Sequence, residues 1–144
     1  MQSIKLKWIK RVLVLFIVIF IPYILYLNSL VKSQFSSEIE PKDNVIQVQN
    51  LIDDYPKELI NMLLLVEDQS FFNHKGVDFK EILRVLYGYL FKEKELRGAS
   101  TITQQLIKNT LLSRDKTLAR KTDEALMAIL MEMSYDKNFI LERY

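Results

Sequence analysis

The hydrophobic positions of this chain form one long uninterrupted run, followed by several shorter periodic segments. From Val12 to Leu27 no charged or amide side chain interrupts the sequence. Together with apolar flanks that extend from Trp8 to Val31, the run reaches the roughly 20 residues that cross the hydrocarbon core of a bilayer. The pattern therefore predicts a transmembrane helix, and we assign residues 1–33 to a basic tail and a membrane anchor.

A cleaved signal peptide is the competing interpretation of this run. Signal peptides have a shorter apolar core that ends at a cleavage site of small residues. Here the run is followed by Tyr-Leu-Asn-Ser-Leu-Val-Lys, from Tyr26 to Lys32, which contains no such site. The sequence favours an uncleaved anchor.

Basic residues are concentrated before the apolar run. Lys5, Lys7, Lys10 and Arg11 precede it, and Lys32 alone follows it closely. Because cytoplasmic flanks carry the excess of Lys and Arg, this asymmetry predicts a single-pass protein whose N-terminus is cytoplasmic. The domain after the anchor is then expected outside the cytoplasm.

The remainder of the chain reads as a connector, residues 34–55, followed by helices. A weak alternation over residues 45–49 indicates a short strand in the connector. Asp54 and Ser100 are predicted to cap helices. Helices are predicted from Pro56 through Val66, from Asp78 onward, over Ile102–Leu112, over Thr117–Glu132 and from Asp136 onward, with a charged loop at 91–97. The fold class is mainly α.

Composition narrows the possible partners. The formal net charge is +2, and the four cations before the apolar run exceed it. The rest of the chain is therefore close to neutral, which predicts no nucleic-acid partner. Cysteine is absent, so neither disulfides nor thiolate metal sites can form.

Two carboxylates, Glu67 and Asp68, end the first of these helices. Glu67 follows five consecutive apolar residues, Met62–Val66. A helix that is apolar on all sides is usually buried, so we expect Glu67 to be partly desolvated at the negative end of the helix dipole. Both effects make a carboxylate more basic, which suits a general base. The alternative is that the two acids mark where a buried helix reaches solvent.

A dense row of polar side chains begins the third of these helices. Six donors fall within nine residues: Ser100, Thr101, Thr103, Gln104, Gln105 and Lys108. Helical spacing places Thr101, Gln104, Gln105 and Lys108 on one face. Amide and ammonium donors on one face suit a pyrophosphate or a glycan, which are rich in acceptors. The alternative is an ordinary solvated helix face.

Three motifs resemble those of the bacterial peptidoglycan glycosyltransferases, glycosyltransferase family 51. These domains occur in class A penicillin-binding proteins and in monofunctional transglycosylases. The first motif, E-D-x-x-F-x-x-H-x-G-x-D, begins at Glu67, and the second, S-T-I-T-Q-Q, begins at Ser100. The third, R-K-x-x-E-x-x-x-A, begins at Arg120 and has Asp123 where the family usually has lysine. The resemblance covers residues from about 45 to 144, where we expect the chain to stop inside the family's domain.

The resemblance implies a partial, lysozyme-like helical glycosyltransferase domain over residues 56–144. It implies catalytic roles for Glu67 and Glu124, and structural roles for His74 and Gly76. It assigns substrate binding to Asp68, Phe71, Ser100, Thr101, Thr103, Gln104, Gln105, Lys108, Lys116 and Arg120. No protein metal ligand is implied, and a divalent cation, Mg²⁺ or Mn²⁺, is left open as an aid to the leaving group.

The implied activity is polymerisation of lipid II into β-1,4 glycan strands at the bacterial cell membrane. The implied partners are lipid II, the growing glycan chain, membrane lipids and other proteins of cell-wall synthesis. Two alternatives stay open. One is a membrane-anchored protein that binds lipid II or a cell-wall synthesis partner without catalysis. The other is a lytic glycosidase of similar fold, although hydrolysis gives no reason for the polar row around Gln104, Gln105 and Lys108.

Overall fold

Six α-helices and one short 3₁₀ turn make up the part of the chain that the structure describes. This computed structural model describes residues 2–36, 52, 55–92 and 98–144. The helices are α1 (Gln2–Ser36), α2 (Lys57–Glu67), α3 (Phe79–Lys92), α4 (Ile102–Leu111), α5 (Leu118–Ser134) and α6 (Lys137–Arg143), and the 3₁₀ turn is Phe71–Asn73. The described ranges contain no strand, only an isolated bridge between Lys75 and Val77. The prediction of a mainly α fold is confirmed.

The apolar run Val12–Leu27 forms the middle of α1. Among the described residues, Lys7–Ser36 is the one helix that is long and apolar enough to cross a membrane. Every side chain from Lys7 to Tyr23 is exposed, as expected for a segment surrounded by lipid. The helix continues to Ser36 without a break at residue 33. The connector strand predicted at 45–49, the cap at Asp54 and most of the charged loop at 91–97 lie outside the described residues.

Local capping chemistry sets the beginnings of α3, α5 and α6. The Asp78 carboxylate accepts from the Glu81 N–H at 2.9 Å, Thr117 Oγ1 accepts from Arg120, and Asp136 accepts from Phe139. These side chains satisfy backbone donors that the first turn of a helix leaves unpaired. The predicted starts of these three helices are confirmed.

The predicted cap of α4 is wrong by one residue. Thr101, not Ser100, is the N-cap, and its hydroxyl accepts from the Gln104 N–H while the Gln104 side chain accepts from the Thr101 N–H. This reciprocal capping box needs a glutamine or glutamate three residues after the hydroxyl. Gln104 meets that requirement for Thr101, whereas Thr103 stands three residues after Ser100.

The hydrophobic core is built by α4, α5 and α6 together with the last turns of α1. Leu27, Val31 and Phe35 of α1 are each at most 2% exposed. They pack with side chains from the other three helices and the 3₁₀ turn: Phe71, Ile102, Leu106, Ile107, Met127, Ala128, Met131, Ile140 and Leu141. Each large apolar side chain buried in this way contributes about 1.5–3 kcal/mol relative to exposure to water. The anchor helix is therefore also a core helix.

Helices α1 and α5 lie side by side and run in the same direction. The Tyr23 hydroxyl donates to the Asp123 carboxylate, and the rings of Phe35 and Tyr135 lie 6.2 Å apart. The contacting residues are equally far apart along the two segments, 23 to 35 and 123 to 135, and in the same order, so the helices are parallel. The N-terminal end of α5 therefore points toward the membrane-spanning part of α1.

The expected burial of α2 is wrong. None of its residues is buried, and Leu65 and Val66 are 63% and 76% exposed. Only Ile60, Leu63 and Leu64 are half-buried against the core. One stripe of α2 therefore packs on the domain and the other sides face outward, which an all-apolar sequence does not reveal.

Candidate active site

Glu67 is an exposed carboxylate that an amide holds in place. The Gln105 side chain donates from Nε2 to Glu67 Oε2 at 2.9 Å, and the Tyr144 hydroxyl donates to Gln105 Oε1 at 3.2 Å. The expected desolvation of Glu67 is wrong, because α2 ends at the surface. Its orientation is instead fixed by Gln105, one of the predicted substrate-binding residues.

Tyr144 is a member of this group that the motifs did not identify. Burial, followed by the nearby Glu67 carboxylate, raises the pKa of the Tyr144 hydroxyl. The hydroxyl therefore stays protonated and able to donate. The only signal for it in the sequence is a tyrosine directly after the last turn of α6, and no local spacing connects that position to Glu67.

A polar cleft of about 370 Å³ lies beside Glu67, between the end of α2, the start of α3 and the segment before α4. Four carboxylates line it, Glu67, Asp68, Asp78 and Glu81, with hydroxyl and amide side chains between them. The Arg84 guanidinium also lines it and pairs with Glu81 at 2.5 Å. A cleft with this balance suits a ligand rich in hydroxyl groups better than an anion.

Asp68 is buried and joins three segments of the chain. One carboxylate oxygen, Oδ2, accepts from the Ile102 N–H at 3.0 Å and lies 2.9 Å from His74 Nε2. The other accepts from the Ser70 hydroxyl at 3.4 Å. Both carboxylate oxygens are therefore engaged by groups of the domain. Asp68 therefore places the C-terminal end of α2 against the N-terminus of α4.

Asp78 stands at the far side of the cleft as the cap of α3. The Ser70 hydroxyl donates to its carboxylate, and the Glu81 N–H is the second donor. These two hydrogen bonds, the Ser70 bond first, hold the pKa of Asp78 below its usual range. Asp78 is therefore ionised at neutral pH and adds negative charge to the cleft.

Gly76 lets the first motif pass close to α5. Its φ is +86°, and a β-carbon built on it would lie 2.6 Å from backbone atoms of Ala128 and Ile129. The Thr101 hydroxyl donates to the Gly76 carbonyl at 2.6 Å. Only glycine fits this conformation and this space without strain.

The predicted row of exposed donors on α4 is only partly exposed. Thr101 and Gln104 are 2% exposed and engaged in the capping box, and Thr103 is fully buried and donates to Glu132. The Thr101 hydroxyl already donates to the Gly76 carbonyl, and both side chains are buried at the helix start instead of lying on an accessible face. Of the four residues predicted to share one accessible face, Gln105 is half-buried and Lys108 exposed.

Phe71 also lies away from any accessible surface. It is 1% exposed, its ring packs edge-on against Phe72 and His74, and the Lys137 ammonium lies 4.3 Å from the ring centroid. We therefore reassign Phe71 from substrate binding to the core, where its ring supports the imidazole that orients Asp68.

The second predicted catalytic carboxylate, Glu124, is held in a cluster of cations. It is 1% exposed; Arg120 Nη1 donates to its Oε2 at 2.8 Å, and the Lys121 ammonium donates to its Oε1. Lys121 also donates to the Ser100 hydroxyl at 2.8 Å, and Ser100 lines the cleft. The hydrogen-bonded chain Ser100–Lys121–Glu124 therefore links the second predicted catalytic carboxylate to the cleft that Glu67 lines.

Two other cations assigned to substrate binding, Lys108 and Lys116, are exposed. Within the described residues, Arg120 Nε is buried and has no hydrogen-bond partner. A buried N–H without a partner is costly, so this donor favours a ligand that brings an acceptor oxygen. Lys121, the second residue of the R-K pair, is the cation that sequence reasoning did not assign.

Glu132 organises a second buried cluster that the motifs did not indicate. Its Oε1 accepts from Thr103 at 2.6 Å and from the Lys137 ammonium at 2.7 Å, and lies 3.8 Å from His74 Nδ1. The sequence signal was a single acid within the apolar part of α5. The cluster joins α4, α5 and α6 behind Asp68.

Asp123, the departure from the motif, faces the anchor. It is a neighbour of Glu124 along the chain, yet its carboxylate accepts from Tyr23 of α1. Glu124 is bonded one turn back, to Arg120 and Lys121. The aspartate that stands in place of the family's usual lysine therefore makes a contact between the domain and the anchor.

The described residues do not provide a ready site for a divalent cation. No group of three or more histidine, aspartate and glutamate side chains in these ranges is arranged to hold a metal ion. The two predicted catalytic carboxylates are engaged by Gln105 and by Arg120 and Lys121. We assign no residue to Mg²⁺ or Mn²⁺ and no step to the metal.

A family profile described as Transglycosylase matches residues 33–144. The chain belongs to the transglycosylase family. This confirms the resemblance drawn from the three motifs.

Curated relatives of this transglycosylase are penicillin-binding proteins. Penicillin-binding protein 1B of Haemophilus influenzae is 43% identical over 102 residues, 71% of this chain and 13% of the relative. Penicillin-binding protein 1F of Bacillus subtilis is 42% identical over 93 residues, 65% of the chain and 13% of the relative. The Escherichia coli 1B protein is 41% identical over 90 residues, 62% of the chain and 11% of the relative. The chain thus spans about an eighth of the length of these relatives.

Proposed function

We propose that this transglycosylase domain acts as a peptidoglycan glycosyltransferase that polymerises lipid II. In this reaction the acceptor's sugar hydroxyl displaces undecaprenyl pyrophosphate from the anomeric carbon of the donor chain. The α-linked donor gives a β-1,4 bond, so a single inverting displacement suffices and no covalent enzyme intermediate is required. The observation that carries the proposal is the Glu67 carboxylate, fixed by Gln105 at the edge of a polar cleft.

Glu67 is the candidate general base. A base must lie within hydrogen-bond reach of the proton it removes, and an exposed carboxylate that lines a cleft can meet a sugar hydroxyl there. The proton of the acceptor hydroxyl passes to Glu67 as the new glycosidic bond forms. The Gln105 amide keeps the carboxylate oriented at the cleft.

The cluster around Glu124 is the candidate site for the leaving pyrophosphate. Arg120 and Lys121 supply positive charge, and Arg120 Nε, which has no hydrogen-bond partner among the described residues, supplies a buried donor. Two exposed cations, Lys108 of α4 and Lys116 in the segment before α5, are further candidates for this role. Preorganised donors aimed at developing negative charge are a large source of rate enhancement. Glu124 positions the two cations and does not itself react.

Substrate choice tests the proposal against the two alternatives. The membrane-reconstituted protein is incubated separately with lipid II and with finished, uncrosslinked glycan, and the products are separated by length. We expect lipid II to be elongated and finished glycan to remain intact. Cleavage of the finished glycan would identify a lytic glycosidase, and saturable lipid II binding without elongation would identify a binding protein.

We also propose that α1 anchors the domain on the outer side of the bacterial cell membrane. The apolar length of Lys7–Ser36 and the cations before it support this orientation. Such an anchor keeps the cleft beside lipid-borne substrates and raises their effective concentration. A reporter enzyme fused after Tyr144 should be active outside the cytoplasm, and strong cytoplasmic activity would contradict the orientation.

A further inference from the structure

A helix of the core places Tyr144 beside the candidate active site. Tyr144 directly follows α6 as its C-cap. Ile140 and Leu141 of that helix are 0% and 7% exposed and belong to the core cluster that also contains residues of α4 and α5. The position of Tyr144 is therefore set by packing in the core, whereas its hydroxyl reaches the group around Glu67.

The side chain between Tyr144 and Glu67 is a carboxamide with two different ends. The Tyr144 hydroxyl donates to Gln105 Oε1 at 3.2 Å, and Gln105 Nε2 donates to Glu67 Oε2 at 2.9 Å. A carboxamide has an acceptor oxygen and a donor nitrogen of nearly the same shape, and a half-turn of the group exchanges them. A hydroxyl that donates to the oxygen keeps the nitrogen directed at Glu67.

This constraint matters most after the candidate base has taken up a proton. An ionised carboxylate only accepts, so it favours the amide nitrogen by itself. A protonated carboxyl group carries an O–H donor, for which the amide oxygen is the better neighbour. A half-turn of Gln105 would bring its oxygen to that proton and hold the proton on Glu67, which delays the next proton transfer. The Tyr144 hydroxyl already engages this oxygen and therefore opposes the half-turn.

We propose that Tyr144 is a positioning residue for the glycosyl transfer reaction and that it acts through Gln105 on the Glu67 carboxylate. This inference rests on the proposed function, because it takes Glu67 as the base. It requires no contact between Tyr144 and the substrate. Burial first, and the Glu67 carboxylate second, raise the pKa of the Tyr144 hydroxyl, so the donor keeps its proton at neutral pH.

Titration of Tyr144 tests the contact with Glu67 independently of the reaction. The full-length protein, with its tyrosines isotope-labelled at Cζ, is followed by NMR in detergent, and the Tyr144 signal is assigned by its loss in Tyr144→Phe. We expect the pKa of Tyr144 to be lower in Glu67→Gln than in the wild type, because a nearby negative charge is removed. Glu58→Gln, at the opposite end of α2, should leave it unchanged. An unchanged pKa in Glu67→Gln would overturn the inference, whether or not the protein elongates glycan.

Steady-state kinetics of the membrane-reconstituted protein test the role of this contact. We expect Tyr144→Phe to lower kcat for glycan formation from lipid II by about three- to tenfold, the effect of losing one hydrogen bond. KM should stay unchanged, because the lost interaction is not with the substrate. Tyr135→Phe is the matched control, because Tyr135 also follows a helix of the core but packs its ring on Phe139. A higher KM with unchanged kcat in Tyr144→Phe would overturn the inference and make Tyr144 a substrate contact.

A double-mutant cycle with Gln105→Met shows whether Tyr144 acts through Gln105. Methionine is unbranched and carries no carboxamide, so the connection to Glu67 is broken. We expect Tyr144→Phe to cause no further loss of kcat in the Gln105→Met protein. Equal losses in both backgrounds would overturn the inference, since Tyr144 would then act independently of Gln105, and so would wild-type kcat in Tyr144→Phe. A wild type that does not elongate lipid II would contradict the proposed function itself, even with the titration result as expected.

Discussion

At the residue scale, Gly76 and Asp68 determine where the first motif lies relative to the rest of the domain. Gly76 has a positive φ and touches the α5 backbone, and Asp68 bonds the N-terminus of α4. These contacts bring the end of α2 close to Gln105, which then orients Glu67. The position of the candidate base therefore depends on two neighbours that do not themselves carry out proton transfer.

Gly76→Ala should destabilise the protein strongly. The new methyl group would stand 2.6 Å from the Ala128 and Ile129 backbones, and a positive φ alone costs an L-residue about 1–2 kcal/mol. We expect a marked loss of thermal stability in detergent, followed by circular dichroism. Gly98→Ala is the matched control, because a β-carbon at Gly98 meets nothing within 4 Å. Equal melting temperatures for the two variants would show that the approach to α5 is not constrained.

Asp78 makes the stability of the domain depend on pH. Its pKa is lower in the folded than in the unfolded protein, because Ser70 and then the Glu81 N–H bond the ionised form. Its contribution to stability is therefore complete above the unfolded pKa of about 4 and is lost as the pH falls through the lower folded value. The melting temperature of Asp78→Asn should lie below that of the wild type at pH 7, and the difference should shrink as the pH falls below about 4. A constant difference across that range would contradict this assignment.

At the element scale, α4 is the helix whose start is most tightly determined. Thr101 is its N-cap: the Thr101 hydroxyl accepts from the Gln104 N–H, and the Thr101 N–H donates to the Gln104 side chain. The same hydroxyl donates to the Gly76 carbonyl. The residues of the motif S-T-I-T-Q-Q thus mainly form the buried start of a helix. Contact with substrate remains a prediction for Ser100 and Gln105.

Thr101→Val keeps the shape of the side chain and removes the hydroxyl. Loss of the cap typically costs about 1 kcal/mol, and the Gly76 carbonyl would lose its donor in a buried place. We expect chemical denaturation in detergent to give a clearly lower unfolding free energy. Thr110→Val, an exposed position of the same helix whose hydroxyl bonds only the Leu106 carbonyl, should change it little. Similar losses in both variants would argue against a special role for Thr101.

The sequence predicted where helices begin better than it predicted which parts of the molecule they pack against. The helix starts predicted at Asp78, Thr117 and Asp136 coincide with caps that act over three residues, so local spacing was sufficient to place these starts. The neighbours of α2 lie far away in the sequence, and an apolar helix gives no indication which of its sides a partner will cover. The contacts of Tyr144 with Gln105 and of Tyr23 with Asp123 likewise join residues distant in the chain.

At the scale of the whole molecule, the anchor and the domain form one packed unit. The run Val12–Leu27 was predicted as an anchor because lipid accepts apolar side chains. The same chemistry suits a protein core, so the sequence could not separate Leu27 and Val31, which are buried, from lipid-facing neighbours such as Leu25. The prediction that residues 1–33 form a separate segment therefore captured their membrane character and missed their role in the core.

Removal of the anchor should therefore damage the domain itself. A protein that begins at residue 34 lacks Leu27 and Val31 and uncovers the core face that they fill, in addition to the exposed apolar side chains of α2 and α3. Exposed surfaces of this kind associate or aggregate. We expect residues 34–144 to be poorly soluble and to lack a cooperative thermal transition, whereas a chain that begins at residue 22 should regain the transition in detergent. A soluble, cooperatively unfolding 34–144 protein would contradict the packing of α1.

The central claim is that Glu67 is the base of a glycosyl transfer reaction, and Glu67→Gln tests it most directly. The substitution keeps the shape of the side chain and removes its ability to accept the proton. Glu58→Gln is the matched control, because Glu58 is also an exposed carboxylate of α2 and lies at its opposite end. The measurement is the rate of glycan formation from lipid II by the membrane-reconstituted protein. We predict that Glu67→Gln lowers this rate by a factor on the order of 10²–10⁴ while Glu58→Gln leaves it unchanged; wild-type rates in both variants would place the base elsewhere.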